Sequence, residues 1–242
     1  MACLTLQEVK KLADSLFDKI SEHDNLEHYI QFGPTDEDCM PYVGIDGKGY
    51  HIKCFERGIQ IEDNVTENLD ELFYWIFSSV TSSIAAEYEL KNRIRYLDNR
   101  RLMFSKQLEL LEKIDTAYTL KCRSEIHEIL KNHPYDDANS TKLDLIDDFE
   151  SLLKRADALA GLKSVSLKAC ADKIAANLDM IRQLHKTGTK DLDRFLFDLF
   201  TSCRSIYSEL DKANRANADI EEIKKDFRDK FLIAQSVIDI PH

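Results

Sequence analysis

The pattern of apolar and polar positions divides the chain into a helical start, a short strand-rich stretch and a long helical remainder. The stretch around which the rest is arranged is TENLDELFYWIFSSVTSSIAAEYELKNRIRYLDNRR, residues 66–101. Leu69, Leu72, Phe73, Ile76, Phe77, Val80, Ile84 and Tyr88 recur along it at helical three/four spacing. Asn68 stands where an N-cap belongs, with Glu71 at the capping-box position. No charged residue occurs from Leu72 to Ala86, so the pattern predicts a central helix over 69–98, buried on nearly every side. It is too short and too rich in hydroxyls to cross a membrane, which takes roughly 18 or more apolar residues.

Upstream, Leu6, Val9, Leu12, Ala13, Leu16, Phe17 and Ile20 form one stripe and predict a helix over 5–22, with Thr5 as cap and Glu8 at the box position. Residues 26–63 change period. LEHYIQF, MPYVGID, GYHIKCF and GIQIED are short β-branched and aromatic runs separated by GPTDEDC, DGKG and ERG. They predict three or four strands, with tight turns at Asp46-Gly47 and Arg57-Gly58 where glycine can take positive φ. Downstream, the periodicity gives helices over 101–114 and 116–131, stopped by Pro134. In 138–242 it gives about four more, near 142–160, 163–186, 189–213 and 216–237.

The predicted fold class is therefore α+β and predominantly helical: a small antiparallel β-sheet packed on a helical bundle, followed by an all-α C-terminal region. The expected domains are 1–137 and 138–242. Scarce Pro (4) and Gly (7) agree with helices rather than a sandwich or barrel.

Charge changes the picture more by position than in total. The chain carries a formal −11, yet residues 1–80 hold 16 Asp/Glu and 6 Lys/Arg, or 6 − 16 = −10, which leaves −11 − (−10) = −1 for the rest. An acidic first third is unsuited to a phosphate backbone and suited to a basic protein. Asp36, Glu37, Asp38 and Asp46 fall in the loops of the expected sheet, and Glu62, Asp63, Glu67, Asp70 and Glu71 where it enters the central helix. Two readings stand for this group: a solvated face with helix-start carboxylates, or a docking surface for a cationic partner. Glu89 and Arg93, at i,i+4, are expected to pair.

Candidate chemistry is sparse. There is no GxSxG, HExxH, P-loop or GxGxxG. His127 and His133 near Asp136 lack metal-ligand spacing, so neither metal nor cofactor is expected. Cys3, Cys39, Cys54, Cys122, Cys170 and Cys203 are scattered without a CxxC and read as reduced thiols of a cytoplasmic protein with no cleavable signal.

Several runs then resemble a known family. GYHIKCFERGIQIEDNVTENLDELFYWIF, AAEYELKNRIRYLDNRRLMFSKQLELLEKI and EIHEILKNHPYDD look like the Immunity protein 63 family, predicted immunity proteins of bacterial polymorphic toxin systems. The resemblance rests on Tyr50 before Glu56-Arg57-Gly58, on Leu72-Phe73-Tyr74-Trp75, and on Ala86, Tyr88, Glu89 and Arg93. Arg101 with Phe104, and Pro134-Tyr135 with Asp136-Asp137, complete it, over roughly residues 48–137. It implies a non-enzymatic protein that binds and neutralises a cognate toxin, a cationic nuclease domain being the candidate type, without touching nucleic acid or membrane. The motif residues read as scaffold and the acidic loops as the toxin-binding surface. The alternative is a helical adaptor or oligomerisation scaffold, assembling through 138–242.

Overall fold

The computed structural model describes residues 4–21, 24–35, 39–160, 189–213 and 218–237. Thr5 starts the first helix, α1 (Leu6–Phe17), by the expected reciprocal cap: Glu8 N donates to Thr5 Oγ1 at 3.3 Å and Thr5 N to Glu8 Oε2 at 2.8 Å. The helix buries Val9, Ala13 and Phe17 and stops at Asp18, short of residue 22, while Leu12 of the stripe stays exposed.

The strand-rich stretch forms one four-stranded sheet in the order β1-β2-β3-β4. Its strands are β1 (Gln31–Phe32), β2 (Tyr42–Asp46), β3 (Gly49–Glu56) and β4 (Ile59–Thr66). The sheet is mixed rather than wholly antiparallel. β1 runs parallel to β2, Gln31 beside Tyr42 and Phe32 beside Val43, whereas β2–β3 and β3–β4 are antiparallel hairpins. With only two residues, β1 has no alternation of its own to fix its direction; bonds from Gln31 N to Pro41 O and from Gly33 N to Val43 O (both 2.9 Å) fix it instead. LEHYIQF, expected as a strand, spends Leu26–His28 in a 3₁₀ turn capped by Asn25.

Both hairpin turns lie where expected, but their glycines divide the work differently. In the β2–β3 turn Gly47 is not at positive φ; Asp46 Oδ1 accepts from Lys48 N at 2.7 Å, and Gly49 takes φ +123 instead. A Cβ on Gly49 would stand 2.5 Å from the Thr66 carbonyl oxygen.

The sheet's inner face carries Val43, Tyr50 and Ile52 onto α2 (Leu69–Asn92), where Leu72, Phe73, Ile76, Phe77 and Val80 meet them. Phe104, Leu111 and Ile114 of α3 (Arg100–Ile114), with Tyr118, Cys122 and Ile126 of α4 (Thr116–Asn132), complete this core. Full burial of each such large side chain stabilises by roughly 1.5–3 kcal/mol.

α2 ends at Asn92, not at 98. Arg93 turns out of the helix at ψ 127, and residues 95–98 belong to a different body of the fold. The described residues form two compact units: one takes the chain up to Ile94 together with Asn99–Tyr135, the other takes Arg95–Asp98 together with the residues from Asp136 on.

The second unit contains α5 (Asp137–Ala160), α6 (Thr189–Ala213) and α7 (Ala218–Val237). Phe149, Phe200 and Phe227 pack around Phe231 in its core. Tyr96, at φ 66, clasps α5 with a 2.6 Å bond from its hydroxyl to Asp148, and Lys230 of α7 joins the same hydroxyl and carboxylate. Arg95 reaches Asp148 at 2.9 Å, and Asp98 accepts from Asp136 N at 2.9 Å. These contacts, all from residues remote in sequence, are what halt α2. The helix expected over 163–186 lies outside the described residues. Among the described residues, no helix is long and apolar enough to cross a membrane.

Trp75, the one tryptophan, sits in the first unit and so reports that unit alone. Gly49→Ala is expected to destabilise it by about 2 kcal/mol, since it combines strained backbone with a clash against a carbonyl. Gly47→Ala, whose Cβ meets nothing within 4 Å, is the near-neutral control. Urea unfolding followed by tryptophan fluorescence measures both.

Candidate protein-docking site

The β3–β4 hairpin is built to project. Glu56 pairs with Ile59 across a two-residue turn in which Arg57 (φ 51) and Gly58 (φ 77) are both left-handed, the conformation that suits the twist of a tight hairpin. Gly58 supplies that conformation without strain. Beyond the turn every residue from Ile59 to Val65 is exposed, and only Thr66 is buried.

Thr66 fixes where the hairpin meets α2. Its hydroxyl donates to Glu71 Oε2 (2.7 Å) and accepts from Asn68 N (3.0 Å). Asn68 caps α2 through Asp70 N at 3.0 Å. The expected box pair of Asn68 and Glu71 is therefore relayed through Thr66. Asp70 is held from α4, where the Tyr118 hydroxyl donates to Asp70 Oδ1 at 2.8 Å; burial, with this carboxylate, pushes the Tyr118 phenol well above its ordinary range.

Between the hairpin's inner face and the helices lies a cleft of about 680 Å³. Ile52, Cys54, Glu62 and Asn64 form one wall; Tyr74, Trp75, Ser78, Ser79, Ser82 and Ser83 of α2 form the other, with Gln107, Cys122 and Glu125 beyond them. The charge-free run of α2 is thus not buried all round. Ser79 and Ser83 are exposed and Trp75 half-buried, because one side of the helix faces this cleft. Hydroxyls there satisfy themselves on the helix, as Ser83 does on the Ser79 carbonyl. The cleft's described lining residues include two carboxylates, Glu62 and Glu125, and no Lys or Arg. Glu125 accepts from the Tyr74 hydroxyl at 2.6 Å, and burial first, then this bond, raises the Tyr74 phenol far above its usual value. Burial likewise pushes the Cys122 thiol up to about 11, which keeps it protonated and unreactive at neutral pH.

The opposite sheet face holds a second cluster. His51 is 2% exposed; its Nδ1 lies 2.8 Å from Asp63 Oδ1, and its Nε2 lies 2.8 Å from Asp46 Oδ1 without the alignment of a hydrogen bond. The sequence reading missed this histidine. The signal was in the register: once Asp46 pairs with Gly49 and Lys53 with Asp63, His51 must fall between the two acids. Tyr118 and Glu125, far along the chain, left no comparable sign.

The nine acidic candidates therefore separate. Asp36, Glu37 and Asp38 lie outside the described residues. Asp46 and Asp63 flank His51, Asp70 and Glu71 tie the start of α2, Glu62 lines the cleft beside Asn64, and Glu67 is exposed at the junction. The motif residues take framework positions. Tyr50 is buried and accepts from Leu4 N at 2.9 Å. Glu89, 4% exposed, is gripped by Arg93 through bonds of 2.8 and 3.0 Å. Tyr88 lies under Lys106, and Arg101 stacks 4.1 Å above Tyr135. Arg100 bonds the carbonyls of His133 and Pro134, while Asp136 accepts from Asn139 N at the start of α5.

Residues 46–128 match the model of the Immunity protein 63 family. The Immunity protein 63 match begins at the last residue of β2 and takes in the hairpin, α2, α3 and most of α4, so it contains the inner wall of the cleft and the His51 cluster. Nothing matches significantly among curated proteins or among solved structures.

The Asp46 carboxyl is held below its ordinary range, first by the Lys48 N–H and then by His51, with Lys53 adding a smaller pull. A lowered folded pKa contributes stability above the unfolded value and loses it as pH falls through the folded one. The first unit's stability is therefore expected to decline below about pH 4. Asp46→Asn, which preserves the turn's acceptor, is expected to flatten that decline. Urea midpoints read from Trp75 at a series of acid pH values check it.

Proposed function

We propose that this chain is an immunity protein that binds a cognate bacterial toxin domain and neutralises it, without catalysing a reaction, through the acidic surface of its first unit. The observation that carries the reading is the Immunity protein 63 match over the hairpin and its helices. The cleft agrees with it: two carboxylates and a half-buried tryptophan line it and suit a Lys or Arg side chain of a partner, in the way Lys121 already stands 3.9 Å from the centre of the Tyr74 ring. Toxins that cut nucleic acids are themselves cationic, because their substrate is anionic. An acidic face raises the rate at which such a partner arrives. Binding in the cytoplasm of the producing cell, with the toxin's active site covered or distorted, is the mechanism this reading implies.

The acidic residues already committed to the fold make poor probes, since reversing Asp70 or Glu71 breaks the start of α2. Glu62 and Glu67 are exposed and serve better. Co-expression with the toxin domain encoded beside this chain is expected to rescue growth. Glu62→Lys with Glu67→Lys is expected to weaken binding about tenfold or more at low salt, and less as salt rises, by surface plasmon resonance. Death of cells despite an active toxin and a folded chain overturns neutralisation and favours the adaptor reading. Unchanged affinity of the double variant moves the interface off this surface.

A further inference from the structure

β4 is the last strand of the sheet, and among the described residues no strand, helix or loop pairs with its outer edge. It is eight residues long and has neither Pro nor Lys, two of the devices that commonly blunt such an edge. Ile59, Ile61 and Val65 stand 68%, 56% and 42% exposed on it. An edge of this kind offers a row of unused N–H and C=O groups together with β-branched side chains, the requirements for accepting another strand.

The charges on the edge decide what that strand can be. Residues 56–67 contain Glu56, Glu62, Asp63 and Glu67 against Arg57, or 1 − 4 = −3. Glu62 and Asp63 occupy the middle of β4. Antiparallel pairing of two copies of β4 about its centre would set these acids against each other, which is destabilising for directly opposed like charges. A strand bearing Lys or Arg there gains the opposite term. The row Val43–Ile52–Asn64 continues past β4 on the cleft side, where Glu62 lies, so a basic residue of an added strand on that side meets a carboxylate.

We infer that β4 is a strand-addition site, and that its occupant is an extended segment of the toxin with basic residues set between β-branched ones. This rests on the toxin-neutralising reading and specifies its geometry: main-chain bonds supply the affinity, and Glu62, the carboxylate of β4 that the fold does not engage through His51, supplies the selection.

The test uses the full chain and the acetylated probe peptide Lys-Val-Thr-Lys-Val-Arg-Val-Lys. Fluorescence anisotropy is expected to show binding, and amide exchange followed by NMR to show new protection at those residues of Ile59–Thr66 whose N–H groups face away from β3, a set that the register shift opposite Cys54 and Phe55 keeps from strict alternation. A copy with every internal amide N-methylated, and a copy with Gln for each basic residue, are each expected to bind at least about tenfold more weakly. Lack of binding, equal binding of the N-methylated copy, or protection elsewhere in the chain overturns strand addition. Should the peptide bind as expected while co-expression fails to rescue growth, the toxin-neutralising reading falls and the strand site stands. Should rescue succeed and the peptide criteria fail, the reverse holds.

Discussion

The architecture of the first unit depends on the few ångströms where β4 ends and α2 begins. Gly49 lets the β3 backbone come within reach of the Thr66 carbonyl, closer than any side chain would allow. The Thr66 hydroxyl is shared between Glu71 and Asn68, and Tyr118 holds Asp70 from across the bundle. The hairpin is also held along β3 by its pairing with β2 and by Tyr50 and Ile52 on α2. Four polar contacts within six residues fix the β4 end of it. The cleft is the consequence: the junction, the β2–β3 pairing and the core between them set the separation of its two walls.

The same contacts explain why so much acid collects here without all of it being available for binding. A carboxylate near a helix start is stabilised by the unpaired N–H groups of the first turn. Asp70 and Glu71 are used in that way and then bonded further. Asp46 and Asp63 are drawn onto His51. What remains unspent on β4 is Glu62, beside the cleft, and at the junction Glu67. Surface charge of this kind contributes little to stability, so the fold does not need these two residues to be acidic. That asymmetry, between acids the fold uses and acids it merely carries, separates scaffold from candidate interface more sharply than the charge count does.

Much of the fold was legible in the sequence because most of its helices are amphipathic. The three/four stripes placed α3, α4, α6 and α7 within a few residues, and Thr5 with Glu8 marked the start of α1 correctly. Two of the failures, the end of α2 and the direction of β1, share one cause: the deciding contact is distant along the chain. α2 looked helical to residue 98, but Tyr96, Arg95 and Asp98 find partners in α5 that a local pattern cannot reveal. β1 is parallel because of where Pro41 and Val43 lie, not because of anything in Gln31-Phe32. The uncharged side of α2 looked buried because serine and tryptophan are neutral. Absence of charge marks a surface that is not fully solvated, and that describes a cleft as well as a core. Of the candidate site, the acidic residues were visible as a group, while their division into engaged and available members was not.

The motif residues now have a common physical character. Arg57 and Gly58 make a turn, Tyr50 and Tyr74 fill the core while their hydroxyls bond Leu4 N and Glu125 at its margin, and Glu89 with Arg93 forms a pair in which the carboxylate is almost wholly withdrawn from water. Removing Arg93 withdraws the cation that grips a buried carboxylate, whereas Arg93 itself reaches solvent, so the cost of breaking the pair falls on Glu89. None of these positions lies on the outer edge of β4 or supplies a carboxylate to the cleft. A framework specified this way fixes a hairpin, a cleft and an open edge while leaving the residues along that edge unconstrained by packing. On the toxin-neutralising proposal, partner selectivity is expected where substitution costs the fold least, at the residues of the exposed strand Ile59–Val65 that no buried group engages, and a change of partner would then require a change of charge and side chain there rather than a new fold.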